Sequence, residues 1–364
     1  MEIIKSTPKT DGYRMPAEYE PHEGCFMLWP QRTDNWRCGA KYAQKAFVEV
    51  AAAIARFEKV TVCVNTDQYE NAVSMLPEEV RVVEMSSNDS WMRDCGPTFV
   101  INDRGGIRGI NWQFNAWGGL VDGLYFPWDK DNLVASKVCR LERIDSYKLE
   151  KFVLEGGAIH VDGEGTALVV EECLLSKGRN SDMTKIEIEE KLKEYLNVQK
   201  VIWLPRGIYL DETNEHVDNV CAFVRPGVVV LAWTDDENDP QYALSKACYK
   251  VLSSEVDARG RQIEIHKMYL PKPIYITREE AEGVDSLTTT IERTEGNRLA
   301  ASYVNFYIAN DGIVMPIFGD KNDEKAISLL DKLFPDREIV PIYAREILLG
   351  GGNIHCITQQ QPKR

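Results

Sequence analysis

The sequence has no Cys-x-x-Cys pair, no low-complexity tract, no Pro/Gly/Ser-rich linker and no excess of positive charge. Each absence removes a class of protein. Nine cysteines, an odd number, are scattered through 364 residues. That argues against a disulfide framework and a structural zinc site, and leads us to expect a reducing, cytoplasmic setting. The first ten residues carry lysines but no apolar leader core, so no secretory signal is expected. The longest apolar run, Gly227 to Trp233, is far too short to span a bilayer, so no membrane partner is expected. Lys and Arg number 43 against 57 Asp and Glu, for a net charge of -14. Nucleic acid is therefore not expected as a partner, because phosphate binding needs a basic face. An acidic cleft would instead concentrate a small cation, although an acidic surface also serves solubility alone.

What is present is ordinary for a globular chain: 44% apolar and 27% charged residues, long enough to bury a large core. With no linker to divide it, residues 1–364 are expected to form a single domain. Four helices are legible. Ala40 to Glu58 places Phe47, Ala51, Ile54 and Phe57 at helical spacing. Thr184 and Glu187 form a capping-box pattern ahead of Ile188, Leu192 and Tyr195. Asp239-Pro240 opens a helix expected to run through Lys250, and Asp323 to Leu333 is closed by Phe334-Pro335. Short β-rich runs lie between them: Val60–Val64, Thr98–Ile101, Ala167–Val170, Val201–Leu204, Val228–Trp233, Tyr303–Ile308 and Ile313–Ile317. Asn102-Asp103 with Gly105-Gly106, Asp162-Gly163 and Asp311-Gly312 read as hairpin turns. Strand pairs alternating with single helices predict a mixed α/β architecture.

Polar or glycine-bearing knots recur at strand-like positions: Trp91-Met92-Arg93-Asp94, Glu155-Gly156-Gly157, Glu212 to Asp218, Asn305, and Gly350 to Cys356. The first two gaps are each roughly 60 residues, a scale that hints at repeated units with one knot per unit. The last knot puts three glycines before a strand-like Asn-Ile-His-Cys-Ile-Thr, a pattern suited to close backbone approach. Together the knots offer a thiol (Cys356), an imidazole (His216) and the carboxylates of Asp94, Glu155, Glu212 and Asp218.

Each of these has a plain structural explanation when taken alone. A free cysteine is usually a buried filler, Asp94 can pair with Arg93, Glu155 can be a turn residue, His216 a hydrogen-bonded structural histidine and Trp91 part of the core. Jointly, a thiol and an imidazole suggest nucleophilic catalysis. Acids around a thiol raise its pKa and suppress the thiolate. That setting makes sense when the substrate is itself a cation. A guanidinium is planar and matches carboxylates with paired N–H donors. A metal is the competing use, with His216, Asp218 and Cys356 as ligands, but His-x-Asp lacks the helical i,i+4 pairing, and no metal is expected.

At these residues the chain resembles the agmatine deiminases of the guanidino-modifying superfamily, nearly end to end. The resemblance is carried by Gly12 to Glu18, Trp91 to Pro97, Phe114 to Gly119, Leu154 to Gly157, Glu212 to Asn214 with His216 to Asp218, Ala301 to Phe306, and Gly350 to Cys356. It implies a pentein fold, an α/β propeller of five ββαβ-type units with pseudo-fivefold symmetry. It also implies a catalytic set: Cys356 as nucleophile, His216 as general acid/base, Asp94 and Asp218 as a guanidinium clamp, and Glu155 holding His216 and touching substrate. Trp91 and Glu212 are implied as substrate-pocket residues. The implied reaction converts agmatine and water to N-carbamoylputrescine and ammonia, in putrescine metabolism, with no metal or organic cofactor. The nearest alternative is another guanidine enzyme such as an arginine deiminase; a non-catalytic cation-binding protein is more distant. A homo-oligomer is expected because most oligomeric soluble proteins are of that kind. One departure stands out. The family usually has glycine before the catalytic histidine, where this chain has Glu215. Its side chain is expected to point outward and leave the site normal.

Overall fold

The protein is described over residues 2–364 from a computed structural model. One connectivity recurs through it: a first strand, an antiparallel second strand, a helix, and a third strand parallel to the second. Thr98–Ile101, Ile107–Gln113, the helix Val134–Leu141 and Ser146–Val153 form one such unit. His160–Val161, Thr166–Val170, Lys185–Tyr195 and Lys200–Leu204 form the next. Cys221–Arg225, Val228–Trp233, Pro240–Ser254 and Glu264–Tyr269 follow. Tyr307–Ile308, Gly312–Ile317, Asp323–Leu333 and Glu338–Tyr343 make the fourth.

The fifth unit is assembled from both ends of the chain. Thr358–Pro362 pairs antiparallel with His22–Leu28, which runs parallel to Lys59–Val64 beyond the helix Lys41–Ala55. Arg81–Glu84 extends that sheet. Five ββαβ-type units are what the resemblance implied.

The local reasons are those legible in the sequence. Val228–Trp233 is buried at every position because it lies between two strands in the middle of its sheet, and a strand covered on both faces is apolar throughout. Asp239 caps the helix Pro240–Ser254 by accepting from the Gln241 N–H at 2.9 Å, and that helix runs four residues beyond Lys250. Thr184 and Glu187 make the reciprocal capping box. Asp323–Leu333 has the expected bounds, whereas the first long helix spans Lys41–Ala55 rather than 40–58. The three expected hairpins join antiparallel strands. Among the described residues, no helix is long and apolar enough to cross a membrane.

The knots differ from the expectation in one respect. They are turns, not strand positions. Met92–Cys95, Gly156–Ala158 and Val217–Asn219 are single helical turns, each leading into the first strand of a unit. Ile354 to Ile357 is likewise a turn ahead of Thr358–Pro362. The strand read over Tyr303–Ile308 shrinks to Tyr307–Ile308, because Ser302 donates to the Asn219 carbonyl and accepts from the Val304 N–H, folding that stretch into a turn. A strand would send successive side chains to opposite faces. A turn lets neighbouring polar groups and free N–H groups reach one point.

Candidate active site

The five knots converge. Cys356 Sγ lies 3.2 Å from Asn305 Nδ2, which donates to it, and 3.7 Å from Asp218 Oδ2. Asn305 Oδ1 also accepts from the backbone N–H groups of His355 and Cys356, at 2.9 and 3.3 Å, so this side chain fixes the turn that carries the thiol. Arg93 N–H donates to the Cys356 carbonyl, tying the first knot to the last. His216 places Nδ1 3.8 Å from Asp94 Oδ1 and Nε2 3.7 Å from Glu155 Oε2. Asp94 is oriented by the Trp117 indole N–H and the Gly157 N–H, both at 2.9 Å.

Close packing depends on missing side chains. A Cβ at Gly157 would sit 2.6 Å from His216 Nδ1, 2.8 Å from Asp94 Oδ1 and 3.0 Å from Asp218 Oδ2. The Gly350–Gly352 run behaves as its composition suggested. Gly351 has φ +106°, and a Cβ on Gly350 or Gly352 would collide with the Trp36 or Trp91 ring. Trp91 stacks on Trp36 at 5.2 Å, and its indole N–H donates to Asp89 at 3.0 Å. Trp91, Asp94, Trp117, His216, the Gly350–Gly352 run and Cys356 line one pocket, whose empty space of about 460 Å³ includes the solvent at its mouth.

The electrostatics follow from burial and pairing. Burial, then the charges of Asp218 and Asp94, pushes the Cys356 thiol well above its ordinary value. Burial raises Asp94 to about 6; Asp218 and Glu155 add to this and His216 opposes it. Burial works against protonating His216, but Asp94, Cys173 and Glu155 outweigh it and hold the imidazole well above its usual value. Glu155 and Asp218 are buried too, yet both stay below the usual range. The Arg179 guanidinium, with help from His216, lowers Glu155, and His355 lowers Asp218. Asp218 Oδ1, Glu155 Oε2, Glu212 Oε2 and His216 Nε2 are buried without a hydrogen-bond partner.

All seven sequence-predicted residues are therefore brought to one region, although Glu155, Asp218 and Glu212 stand behind the pocket lining rather than in it. Glu212 is an ion-pair partner of Arg293. Glu215 turns its carboxylate away from the imidazole but not into solvent. It is buried, accepts from the Gly207 N–H at 2.6 Å and makes a bidentate pair with Arg206. Its φ is +70°, the region where glycine is easiest. Sequence reasoning missed Arg179, which donates to Glu155 Oε1 at 3.1 Å and to the Thr213 carbonyl at 2.7 Å. It assigned no role to Asn305, Trp117 or His355, although all three lay inside the motifs that carried the resemblance. Among the described residues, the group of ligand-type atoms lying within 4.8 Å of one another is Glu155, Cys173 and His216, rather than His216, Asp218 and Cys356. There the Arg179 guanidinium already supplies the positive charge to Glu155.

The chain is similar to known proteins over its full length. The family model for Porphyromonas-type peptidyl-arginine deiminases matches residues 14–362. A Listeria monocytogenes protein named "Putative agmatine deiminase 1" is 64% identical, with both chains covered in full. The agmatine deiminase of Pseudomonas aeruginosa is 57% identical over 98% of this chain and 97% of its own. The solved structure of the Enterococcus faecalis agmatine deiminase superposes with a TM-score of 0.97 at 52% identity, covering 100% of this chain and 99% of the other.

Proposed function

The chain belongs to the Porphyromonas-type peptidyl-arginine deiminase family, and from that premise we propose that it is an agmatine deiminase, hydrolysing agmatine to N-carbamoylputrescine and ammonia. Full-length relatives bearing that name support the reading. The observation that carries the choice of an amine-tailed substrate is Arg293. Among the described residues it is the one Lys or Arg lining the pocket, and it is already engaged. Nη1 pairs with Glu212, and Nη2 donates to Asn35 Oδ1 at 2.8 Å and to the Gly350 carbonyl at 2.7 Å. An α-carboxylate would find no free cation there. Cys356 is only 5% exposed, which also suits a small molecule better than a peptide.

The mechanism follows from the same groups. The guanidinium enters between Asp94 and Asp218, whose carboxylates hold its carbon over Cys356, with Trp91 as a wall; orientation of this kind removes a large part of a barrier. The substrate's positive charge offsets the acids that keep the thiol neutral, so the thiol gives up its proton to solvent as the substrate binds. The thiolate adds to the guanidinium carbon. His216, held protonated beside Asp94 and Glu155, gives its proton to the departing nitrogen, and ammonia leaves an amidino-thioether on Cys356. His216, now neutral, takes a proton from water, which adds to the same carbon. Collapse releases the ureido product and restores the thiol.

A homo-oligomeric, cytoplasmic enzyme remains part of this proposal. So does a single domain over residues 1–364, which is supported by the sheet shared between the two ends of the chain. Ammonia release from agmatine, arginine and a peptidyl arginine, measured side by side, tests the assignment. Agmatine is expected to give the highest kcat/KM. Equal or faster turnover of either alternative would overturn the assignment.

A further inference from the structure

His355 precedes the thiol in the chain and faces away from the pocket, into a fully buried cluster of charges. Its Nδ1 lies 2.8 Å from Asp218 Oδ2 and its Nε2 lies 2.7 Å from Glu18 Oε2. A neutral imidazole has one N–H and one lone pair. With a carboxylate oxygen at each ring nitrogen, a neutral ring would set its lone pair against an anion. Both nitrogens donate only when the ring is a cation. The surrounding groups fit that state. Arg93 Nη2 is 3.8 Å from Glu18 Oε2, and Arg93 Nε donates to the His355 carbonyl at 3.2 Å. Glu18 Oε1 accepts from the Ile308 N–H at 2.9 Å. The stacked ring of His160, 6.3 Å away, accepts from the Phe223 N–H through Nδ1, and burial holds it neutral with a pKa of about 4. Two anions, Glu18 and Asp218, therefore enclose two cations, Arg93 and His355.

The oxygen that His355 holds, Asp218 Oδ2, is also the one that faces the Cys356 thiol at 3.7 Å. The other oxygen, Oδ1, is buried without a partner. We propose that His355, kept cationic by Glu18, is a positioning residue for the reaction. It fixes Asp218 through Oδ2, leaves Oδ1 to the substrate guanidinium, and neutralises the carboxylate oxygen that opposes the thiolate. This rests on the deiminase reading above.

The test uses Glu18→Gln and His355→Asn in the full chain, with circular dichroism confirming that each variant is folded. Glu18→Gln keeps an acceptor for Nε2 but removes the anion, which lowers the His355 pKa. The ratio of its kcat/KM to that of the wild type should therefore fall by about tenfold or more as pH rises from about 6 to about 9, and recover on returning to low pH. His355→Asn can still donate to Asp218 but carries no charge. It should lose about tenfold or more in alkylation of Cys356 by the cationic reagent 2-chloroacetamidine. A variant that was merely less stable would show a pH-independent ratio. A flat ratio in Glu18→Gln, or wild-type alkylation in His355→Asn, would overturn the inference while wild-type turnover of agmatine left the deiminase reading standing. If the wild type itself fails to turn over agmatine, the underlying reading falls.

Discussion

A single methyl group at Gly157 should disable the enzyme without unfolding it. The backbone there is outside the left-handed region, so alanine adds a Cβ without dihedral strain. That atom would lie 2.6 Å from His216 Nδ1, 2.8 Å from Asp94 Oδ1 and 3.0 Å from Asp218 Oδ2. Ordinary contact needs about 3.5 Å. Relieving all three contacts moves the imidazole by about 0.9 Å, Asp94 by about 0.7 Å and Asp218 by about 0.5 Å, unless the backbone retreats and gives up the Gly157 N–H bond to Asp94. A misplacement of about 1 Å in a positioned constellation costs on the order of 10²-fold in rate. The stability cost is that of overpacking, about 1–3 kcal/mol. Gly157→Ala should therefore lose roughly 10²-fold in kcat/KM for agmatine, measured by ammonia release, and keep a cooperative thermal transition. Activity within about threefold of wild type would show that these three side chains need not hold their mutual geometry, and the reasoning would fail.

Other tests follow from individual groups. Because burial raises Asp94 to about 6, its carboxylate is lost as pH falls through that value. kcat/KM, which reports the free enzyme, should drop below about pH 6, and a profile flat to pH 4.5 would remove Asp94 from the clamp. Glu215→Ala keeps the strained φ of +70° and loses the Arg206 pair, whereas Glu215→Gly loses the pair but relieves the strain. Thermal or denaturant melts should show glycine to be the milder change by about 1 kcal/mol, and the reverse order would deny the strain. Glu212→Gln frees the Arg293 cation at the pocket wall. Discrimination between agmatine and arginine should then narrow by about tenfold, the equivalent of about 1.4 kcal/mol, and an unchanged ratio of kcat/KM values would mean that Arg293 does not set tail specificity.

The helices and central strands were legible because their signals are local. Asp239 before Pro240, Thr184 three residues before Glu187, and the unbroken Val228–Trp233 run each state their structure within a few residues. The knots were legible as chemistry but not as geometry. Asn-Ile-His-Cys-Ile-Thr alternates like a strand, yet Asn305, about fifty residues earlier in the chain, bends it by taking two of its N–H groups. Glu215 shows the same limit. Its positive φ was foreseeable from the glycine usual at that place, but its buried pairing with Arg206 depends on a contact no local pattern reports. Arg179 carried no motif of its own; only the fold reveals that it braces Glu155 and the turn before His216. The closing sheet needed the pairing of Thr358 with Met27, a register set by the whole architecture.

In the proposed mechanism the Cys356 sulfur attacks a guanidinium that flanking carboxylates hold. Acid quenching during turnover of agmatine, followed by intact and peptide mass spectrometry, tests this most directly. An adduct equal to agmatine less one ammonia is expected, confined to the peptide that carries Cys356. A folded Cys356→Ser protein should give neither adduct nor product. Sustained product formation by that variant, or an adduct on a different residue, would rule out the covalent route through Cys356.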